Sequence, residues 1–367
     1  MKSNTFKNLV ELFYYKYEKQ NPNEIFLTSL KEKDNSYSWQ KTFEYIQKLS
    51  QTLDNALNEN DRCLLISENR PEWLISDLAI MLSKGVTVPA YTTYAERDYE
   101  YLINDCKPSV IIISDQVQFN KVSTIIKKNR FIRLVISFDN IETDYQNHIN
   151  IKKIFNQKEY LKKNLENFNL ERTNLACIIY TSGTTGNPKG VMLSHGGILS
   201  NCESALEILD PIVKDDKPVF LTWLPLSHSY EHTVQFVQIS LGAKVYYAES
   251  LDKLLLNMSI AKPSIMTAVP RFYQNLFSKI SLTFSKQKGF KKKLIESTIL
   301  LGTKTLNSER LNTKEKIIDF LCEILVRRKI KIQFGGKLKA FVSGGGALDQ
   351  KIGEFLNSIG LPTLQGY

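Results

Sequence analysis

Three short apolar segments, separated by helix-like stretches, constrain the fold of this chain most. They are Arg62–Ser67, Val86–Ala90 and Ser109–Ser114, and none shows the polar–apolar alternation of a strand with one solvated face. Continuous apolar runs of this length are typical of parallel strands covered on both faces. The intervening Glu72–Ser83 and Ala95–Asn104 have apolar residues at helical spacing. The order of these segments therefore predicts an α/β fold.

The same alternation returns after a polar stretch, residues 140–172, which is rich in Asn and Lys and is interpreted as a connector. A prior of about 150 residues per domain allows two or three lobes in 367 residues. We expect two layered α/β lobes, residues 1–172 and 173–367. The second lobe is predicted to contain strands at Ala176–Tyr180, Gly242–Ala248, Ser264–Val269 and, as the last one, Lys339–Ser343, and a basic helical region over 275–335.

Cysteine usage and hydropathy exclude several classes of protein. The five cysteines are scattered and form no C-x-x-C pair, so neither a disulfide framework nor a Cys-based zinc site is predicted. The first twenty residues lack the apolar core of a signal peptide, and no apolar run is long enough to cross a bilayer. These features favour a cytoplasmic location.

The basic residues of the chain are clustered, and its net charge is +10. One cluster holds Lys286, Lys288 and Lys291–Lys293, and the other holds Arg327, Arg328, Lys329 and Lys331. Such clusters can contact phosphates or anionic lipid head groups, and a solvated helix face is an equally open interpretation. We expect peripheral contact with the inner face of the membrane through region 279–339. No zinc-finger or RNA-recognition signature is present, so nucleic acid is not an expected partner.

The segment Tyr180–Gly190 (YTSGTTGNPKG) carries the chemistry. It holds four hydroxyl side chains, three glycines and one lysine, and it lies between the apolar segments Ala176–Ile179 and Val191–Leu193. Glycines let backbone N–H groups approach an anion, hydroxyls add donors, and a lysine adds positive charge. The segment therefore predicts a polyphosphate-binding loop between two strands, with a Ser/Thr/Gly turn that binds nothing as the alternative.

A Walker A loop is excluded because it requires G-x-x-x-x-G-K-[ST] at the start of a helix. Here Lys189 lies between Pro188 and Gly190, and an apolar, strand-like segment follows. The loop must therefore belong to another class of phosphate-binding site.

The loop resembles the phosphate loop of the adenylate-forming superfamily, which includes acyl-CoA synthetases, luciferases and peptide-synthetase adenylation domains. The resemblance extends along the chain in the order of the family's motifs. They are matched by Asn69–Trp73 with Asp77–Ala79, Gly85–Tyr91, Leu224–His228, Val269–Tyr273, Ser343–Leu348 and Gln365–Tyr367. Within the superfamily, Asn69–Trp73, Ser227–Glu231 and Val326–Ala340 resemble the long-chain fatty acyl-CoA synthetase branch.

The resemblance implies a large N-terminal adenylation domain that uses ATP, Mg²⁺, coenzyme A and a fatty acid. The phosphates are assigned to Thr181, Ser182, Gly183, Thr184, Thr185, Gly186 and Lys189. Gly345, Gly346, Ala347, Gly366 and Tyr367 are expected around the adenine, although Gly346-Ala347 departs from the Ala-Pro of many relatives. Lys189, Thr184 and His228 are the expected catalytic residues, with His228 beside the carboxylate. Trp223 and Tyr230 are candidates for the acyl tunnel, or plain core residues.

Three other functions are open. The chain could be a fatty acyl-AMP ligase or another carboxylate-adenylating enzyme. It could also bind nucleotide without catalysis. In the family's motif the magnesium-binding glutamate is expected just beyond Tyr367, so it is not among these residues. The small C-terminal domain is not in this sequence, so we expect the chain alone to be inactive. His228–His232 also fits the H-x-x-E-H pattern of zinc hydrolases, although no third ligand is evident.

Overall fold

The structure is a computed structural model that describes residues 5–32, 35–166, 168–181, 188–214 and 216–366. Its strands are β1 Ile25–Ser29, β2 Ser36–Ser38, β3 Arg62–Ile66, β4 Val86–Ala90, β5 Val110–Ile113, β6 Leu134–Ser137, β7 His148–Asn150, β8 Leu175–Thr181, β9 Lys189–Ser194, β10 Val219–Thr222, β11 Lys244–Tyr247, β12 Ile265–Ala268, β13 Ala340–Ser343 and β14 Thr363–Gln365. Its helices are α1 Leu9–Lys19, α2 Trp39–Asp54, α3 Pro71–Leu82, α4 Glu96–Cys106, α5 Gln116–Lys128, α6 Ile151–Phe155, α7 His195–Val213, α8 Ser229–Ser240, α9 Leu254–Ala261, α10 Pro270–Ser285, α11 Gly289–Leu306, α12 Thr313–Cys322, α13 Arg328–Gln333 and α14 Gln350–Ser358. A π-helical segment, Glu323–Arg327, connects α12 to α13.

The chain forms two compact units, and both are discontinuous in sequence. The first contains Met1–Glu207 and Pro225–Gly242, and the second contains Ile208–Leu224 and Ala243–Tyr367. The sequence analysis placed a single boundary after residue 172. The difference arises because β8 and β9, which follow that position, extend the sheet of the first unit through the pairing of β8 with β4.

The sheet of the first unit has the order β7-β6-β5-β3-β4-β8-β9. Its strands pair in parallel, except that β9 runs antiparallel to β8. The predicted strands β3, β4 and β5 are confirmed, and Leu64 of β3 is paired with Val88 on one side and Ile111 on the other. Helix α3 begins with Pro71 at its first position, where a missing N–H costs nothing, and is buried along its whole length.

The predicted connector over residues 140–172 contains regular structure. His148–Asn150 forms β7, which pairs in parallel with β6, and Asn150 caps the short helix α6. The sequence analysis missed this strand because three residues with two polar side chains give no apolar run. The hairpin β1–β2, near the start of the chain, also went unpredicted.

In the second unit, strands pair in the order β14-β13-β12-β10-β11, all in parallel. The strands predicted near residues 244, 265 and 340 are confirmed, as is the helical region over 275–335. The prediction that Lys339–Ser343 is the last strand is wrong, because the three-residue β14 follows it. Within the described ranges, no helix is both long and apolar enough to cross a membrane.

Candidate functional site

The two ends of the predicted phosphate loop lie next to each other as partners in an antiparallel strand pair. Thr181, at the end of β8, is opposite Lys189, at the start of β9, and both are exposed. The prediction that this loop joins two strands is confirmed. Five of the residues assigned to phosphate binding, Ser182, Gly183, Thr184, Thr185 and Gly186, lie outside the described residues, so their role stays a prediction.

Helix α4 supports both ends of this loop. The hydroxyl of Tyr180 donates a hydrogen bond to the carboxylate of Asp105. The hydroxyl of Tyr101, one helical turn earlier on α4, donates to the carbonyl of Pro188 at 3.0 Å. Burial and the hydrogen bond to Asp105 raise the pKa of Tyr180, so this phenol stays protonated and keeps donating. The only sequence signal for these supports was the four-residue spacing of Tyr101 and Asp105, which we did not use.

Gly190 is required by close packing at the second end of the loop. A Cβ atom at this position would lie 2.8 Å from Cγ2 of Ile178 and 3.2 Å from the ring of Tyr180. Because real Cβ atoms avoid such distances, a side chain here would require Ile178 to move and would crowd the ring of Tyr180, whose hydroxyl donates to Asp105. Gly190, the last residue of the loop segment, therefore has a structural role.

His228 lies in the first unit, immediately before helix α8, as its N-cap. Its Nδ1 accepts a hydrogen bond from the backbone N–H of Tyr230 at 3.2 Å. The side chain is accessible to solvent, and partial burial of the ring lowers its pKa, which favours the neutral imidazole. Two residues earlier, the N–H of Leu226 donates to Oδ1 of Asn69 at 3.1 Å. The Leu224–His228 and Asn69–Trp73 motifs are therefore in direct contact.

His232 belongs to a buried polar cluster and is unsuited to a zinc site shared with His228. Its Nε2 lies 2.7 Å from Oδ2 of Asp77, and its Nδ1 lies 3.4 Å from Sγ of Cys177. Both ring nitrogens are thus engaged, and the extended backbone of His228 places it outside the regular helix. Across the described ranges, no group of three or more His, Cys, Asp and Glu side chains is arranged to hold a metal ion. The structure gives the H-x-x-E-H alternative no support.

The cluster Asp77–His232–Cys177 joins three elements of the first unit: α3, α8 and β8. All three side chains are buried, and the ring of Trp73 packs edge-on against His232 at 5.4 Å. Burial lowers the pKa of His232, but the opposing effects of Asp77 and Cys177 are stronger and raise it well above its usual value. The imidazole is therefore protonated and forms an internal ion pair with Asp77. The sequence analysis treated His232 only as a metal ligand and missed this role.

The residues predicted around the adenine follow the parallel strands of the second unit. Gly344 N–H donates to the carbonyl of Ala268 at 3.0 Å, and Gly366 N–H donates to that of Ser343 at 2.7 Å. Strands β12, β13 and β14 therefore end at the same edge of the sheet. The carboxyl edge of such a sheet is where ligands of open α/β folds bind.

Gly345, Gly346 and Ala347 are exposed at this edge. Gly345 has a φ of +72°, a conformation that favours glycine, and it packs against Val269. A Cβ atom at Gly346 would lie 3.5 Å from Pro270, an ordinary contact, so the backbone accepts other residues there. The structure thus brings the Val269–Tyr273 and Ser343–Leu348 motifs together. Their binding of adenine stays a prediction, and Tyr367 lies outside the described residues.

The two candidates for the acyl tunnel differ in their surroundings. Trp223 follows β10 in the second unit, donates from Nε1 to the carbonyl of Thr267 at 2.8 Å, and packs its ring 5.3 Å from that of Phe272. Tyr230 belongs to the first unit, and burial, with the nearby charge of Glu231, raises its pKa. Neither contact set identifies an acyl ligand, so both assignments stay predictions.

Comparison with known proteins matches residues 15–367 to the family described as AMP-binding enzyme. Fatty acyl-CoA synthetase A of Dictyostelium discoideum is 29% identical over 85% of the chain, and long chain acyl-CoA synthetase 2 of Arabidopsis thaliana is 29% identical over 83%. The chain spans about half the length of these curated relatives, 46% and 47%.

The fold is shared with solved adenylation domains. The adenylation domain of a carboxylate reductase from Mycobacterium chelonae superposes with a TM-score of 0.73 at 15% identity, over 100% of this chain and 58% of that one. The family match covers nearly all of the chain, including the loop, the Leu224–His228 motif and the carboxyl edge described above. This chain belongs to the family of AMP-binding enzymes.

Proposed function

We propose that the chain supplies the adenylation site of a long-chain fatty acid–CoA ligase, which converts ATP, a fatty acid and coenzyme A into acyl-CoA, AMP and diphosphate. The observation that carries this proposal is the strand pair that holds Lys189 opposite Thr181 at the mouth of a hydroxyl- and glycine-rich loop. The relatives named above are fatty acyl-CoA synthetases, which favours a fatty acid as the carboxylate substrate.

The reaction consists of two displacements. A carboxylate oxygen of the fatty acid attacks the α-phosphorus of ATP, a new P–O bond forms, the bond to the bridging oxygen breaks, and diphosphate leaves. The sulfur of coenzyme A then attacks the acyl carbon, AMP leaves with the anhydride oxygen, and the thiol proton passes to solvent. Neither step requires an enzyme nucleophile, so the protein acts by positioning and by stabilising phosphoryl charge.

Each predicted site residue has a role in this scheme. Lys189 and the loop residues Thr181, Ser182, Gly183, Thr184, Thr185 and Gly186 hold the β- and γ-phosphates, and Lys189 and Thr184 stabilise the charge of the departing diphosphate. His228, kept neutral by its lowered pKa, borders the carboxylate and orients it without adding charge. Gly345, Gly346, Ala347, Gly366 and Tyr367 surround the adenine.

Magnesium is the ion that such nucleotide chemistry uses, and its oxygen ligands come from carboxylates and from the nucleotide's phosphates. In the part of the chain that the structure describes, no group of three or more Asp, Glu, His or Cys side chains is arranged to hold a metal ion. Those residues do not form a resident site for the ion, so the roles above are derived without it.

The acceptor and the cellular setting belong to the same proposal. Coenzyme A is the preferred acceptor because the curated relatives are named as acyl-CoA synthetases. A carrier protein would make the enzyme a fatty acyl-AMP ligase, and nucleotide binding without turnover is a further alternative. We infer a cytoplasmic enzyme whose basic region 279–339 contacts the membrane surface, where long-chain acids partition.

The test is ATP–diphosphate exchange in the intact protein that carries this chain, with acids of graded length. We expect exchange that depends on a long-chain acid and falls on the order of a hundredfold in Lys189→Gln, because the loop loses its charge. Lys128→Gln, an exposed lysine on α5, is the matched control and should keep full exchange. Equal exchange in the two variants, or none with any acid, would refute the proposal. Thioester formation with coenzyme A or a carrier protein then identifies the acceptor.

A further inference from the structure

Helix α12 and the π-helical segment expose large apolar side chains. Ile317 is 61% exposed and Phe320 is 65% exposed, and the same face continues into the π-helical segment. We call this surface the apolar stripe, and it consists of Ile317, Ile318, Phe320, Leu321, Ile324 and Leu325. Contiguous apolar surface of this kind is uncommon on a soluble monomer and indicates an interaction site.

The opposite side of the same helix carries charge into the interior. The guanidinium of Arg327 is buried, donates to the carbonyl of Ser358 at 2.9 Å, and pairs with Asp319 at 2.7 Å. Cys322 and Val326 are buried beside it. The segment therefore departs from the usual pattern, because a buried arginine lies beside Cys322 and Val326 inside while six apolar side chains face solvent.

Helix α11 runs antiparallel to α12 and contributes positive charge at one end of the stripe. Lys304 pairs with Glu315 at 2.7 Å, and Sγ of Cys322 lies 3.6 Å from the carbonyl of Leu294. The start of α11, with Lys291 and Lys293, therefore lies at the end where α12 continues toward Arg328 and Lys329.

The cations at this surface are available to a ligand. The acidic side chains of α12 and the π-helical segment, Glu315, Asp319 and Glu323, are all paired with basic side chains. In the described part of the chain, no ion pair involves Lys291, Lys293, Lys314, Lys316, Arg328 or Lys329. The apolar stripe thus lies on a segment that, together with the neighbouring helices α11 and α13, carries basic side chains without an ion-pair partner among the described residues.

We propose that the apolar stripe inserts into the surface of an anionic lipid bilayer, with Lys291, Lys293, Arg328 and Lys329 contacting lipid phosphates. An interfacial helix combines apolar and basic side chains in this way. A second copy of the chain is a poorer occupant, because the acidic side chains of α12 and the π-helical segment are already paired within the chain and leave none for the cations of a facing copy. The proposal sharpens the contact suggested for region 279–339, and its readout does not depend on ligase activity.

The test is sedimentation of the protein with vesicles of phosphatidylcholine, with and without phosphatidylserine. We expect binding only when phosphatidylserine is present, and weaker binding at high salt. Phe320→Glu with Ile324→Glu should weaken partitioning by at least about tenfold, because the stripe can no longer insert. Val117→Glu, which replaces a 62% exposed residue on α5, adds charge elsewhere and should bind as the wild type does.

A second variant tests the charges separately. Neutralising Lys291, Lys293, Arg328 and Lys329 to Gln should weaken partitioning on the order of several hundredfold, at about fivefold per charge. Circular dichroism and thermal melting should show that both variants fold, since every replaced side chain is exposed. The proposal is overturned if the wild type does not bind, or if a folded stripe variant binds equally well. Self-association that the stripe substitutions abolish, without lipid binding, would identify a second copy as the occupant.

Discussion

The core around α8 in the first unit and the helical pair α11–α12 in the second depart from ordinary burial in opposite ways. In the first, an imidazolium, a carboxylate and a thiol are buried beneath a parallel sheet. In the second, an arginine is turned inward while isoleucine, leucine and phenylalanine face solvent. Each region contains a buried cation paired with a carboxylate, but Asp319 is partly exposed, and only the second region leaves apolar surface uncovered.

The two regions use a buried charge for different purposes. His232 and Asp77 are fully enclosed, so each needs the other to offset the loss of water. Arg327 lies at the edge of its unit, where Asp319 and backbone carbonyls satisfy it and its own helix displays apolar groups outward. The first arrangement holds elements of one unit together, whereas the second leaves a surface for a partner.

The largest effect is expected from removing one member of the enclosed pair. Asp77→Leu removes the counter-ion of His232, so the buried imidazole loses its proton and one ring nitrogen is left without a partner, which should lower the free energy of unfolding by about 3 kcal/mol. Urea denaturation measures this loss. The double variant Asp77→Leu with His232→Leu should recover much of the stability, since no buried polar group is then left without a partner. A single variant as stable as the wild type would remove the distinction between the two regions.

We expect pH to have a smaller effect on the free energy of unfolding, through the titration of His232. The folded pKa of His232 is raised, so the folded state binds its proton more tightly than the unfolded state, in which the pKa is about 6.5. The stabilisation is complete below that value and is lost as pH rises toward the folded pKa, by up to about 1.4 kcal/mol per pH unit.

Below about pH 6.5, His195 should give the plot of stability against pH a slope of opposite sign. Its burial lowers its pKa to about 4, with a smaller opposing effect from Asp77. The unfolded state therefore binds more protons between about pH 4 and 6.5, and stability falls as pH falls through that window. Denaturation across pH, repeated with His232→Gln, isolates the alkaline slope. If that variant keeps the wild-type slope above pH 6.5, another group is responsible.

The smallest change in the free energy of unfolding is expected for a substitution in the apolar stripe of the second unit. Phe320→Ser removes an exposed ring and should change the free energy of unfolding by no more than about 0.5 kcal/mol. Phe236→Ser, in the buried core of the first unit, provides the contrast and should cost at least about 3 kcal/mol. Thermal melts of the two variants compare them directly, and a large loss at Phe320 would mean that the stripe is part of the core.

Apolar continuity and glycine placement made much of this fold predictable. Strands β3, β4 and β5, the helices between them and the strands on both sides of the phosphate loop follow from these local signals. The three-residue strands β7 and β14 did not, because so short a segment acquires its identity from the strand beside it. The outward direction of the stripe on α12 was also hidden, since a helical pattern does not reveal which of its faces is covered.

The candidate site likewise has features that the sequence predicted and features that it did not. The loop, the Leu224–His228 motif and the Gly344–Ala347 turn are contiguous in sequence and could be recognised as motifs. Cys177 and Asp77 are 55 and 155 residues from His232, and nothing in the chain marks them as partners. The support from Tyr101 to Pro188 likewise crosses 87 residues. Contacts of this kind emerge only when the sheet brings distant segments together.

In the strand pair at the phosphate loop, different residues serve folding and ligand binding. A side chain at Gly190 would displace Ile178 and crowd Tyr180, whereas Thr181 and Lys189 are exposed. A population of chains randomised at those two exposed positions should vary less in stability than one randomised at Gly190. Selection acting on it would therefore report ligand preference more directly than differences in the yield of folded protein.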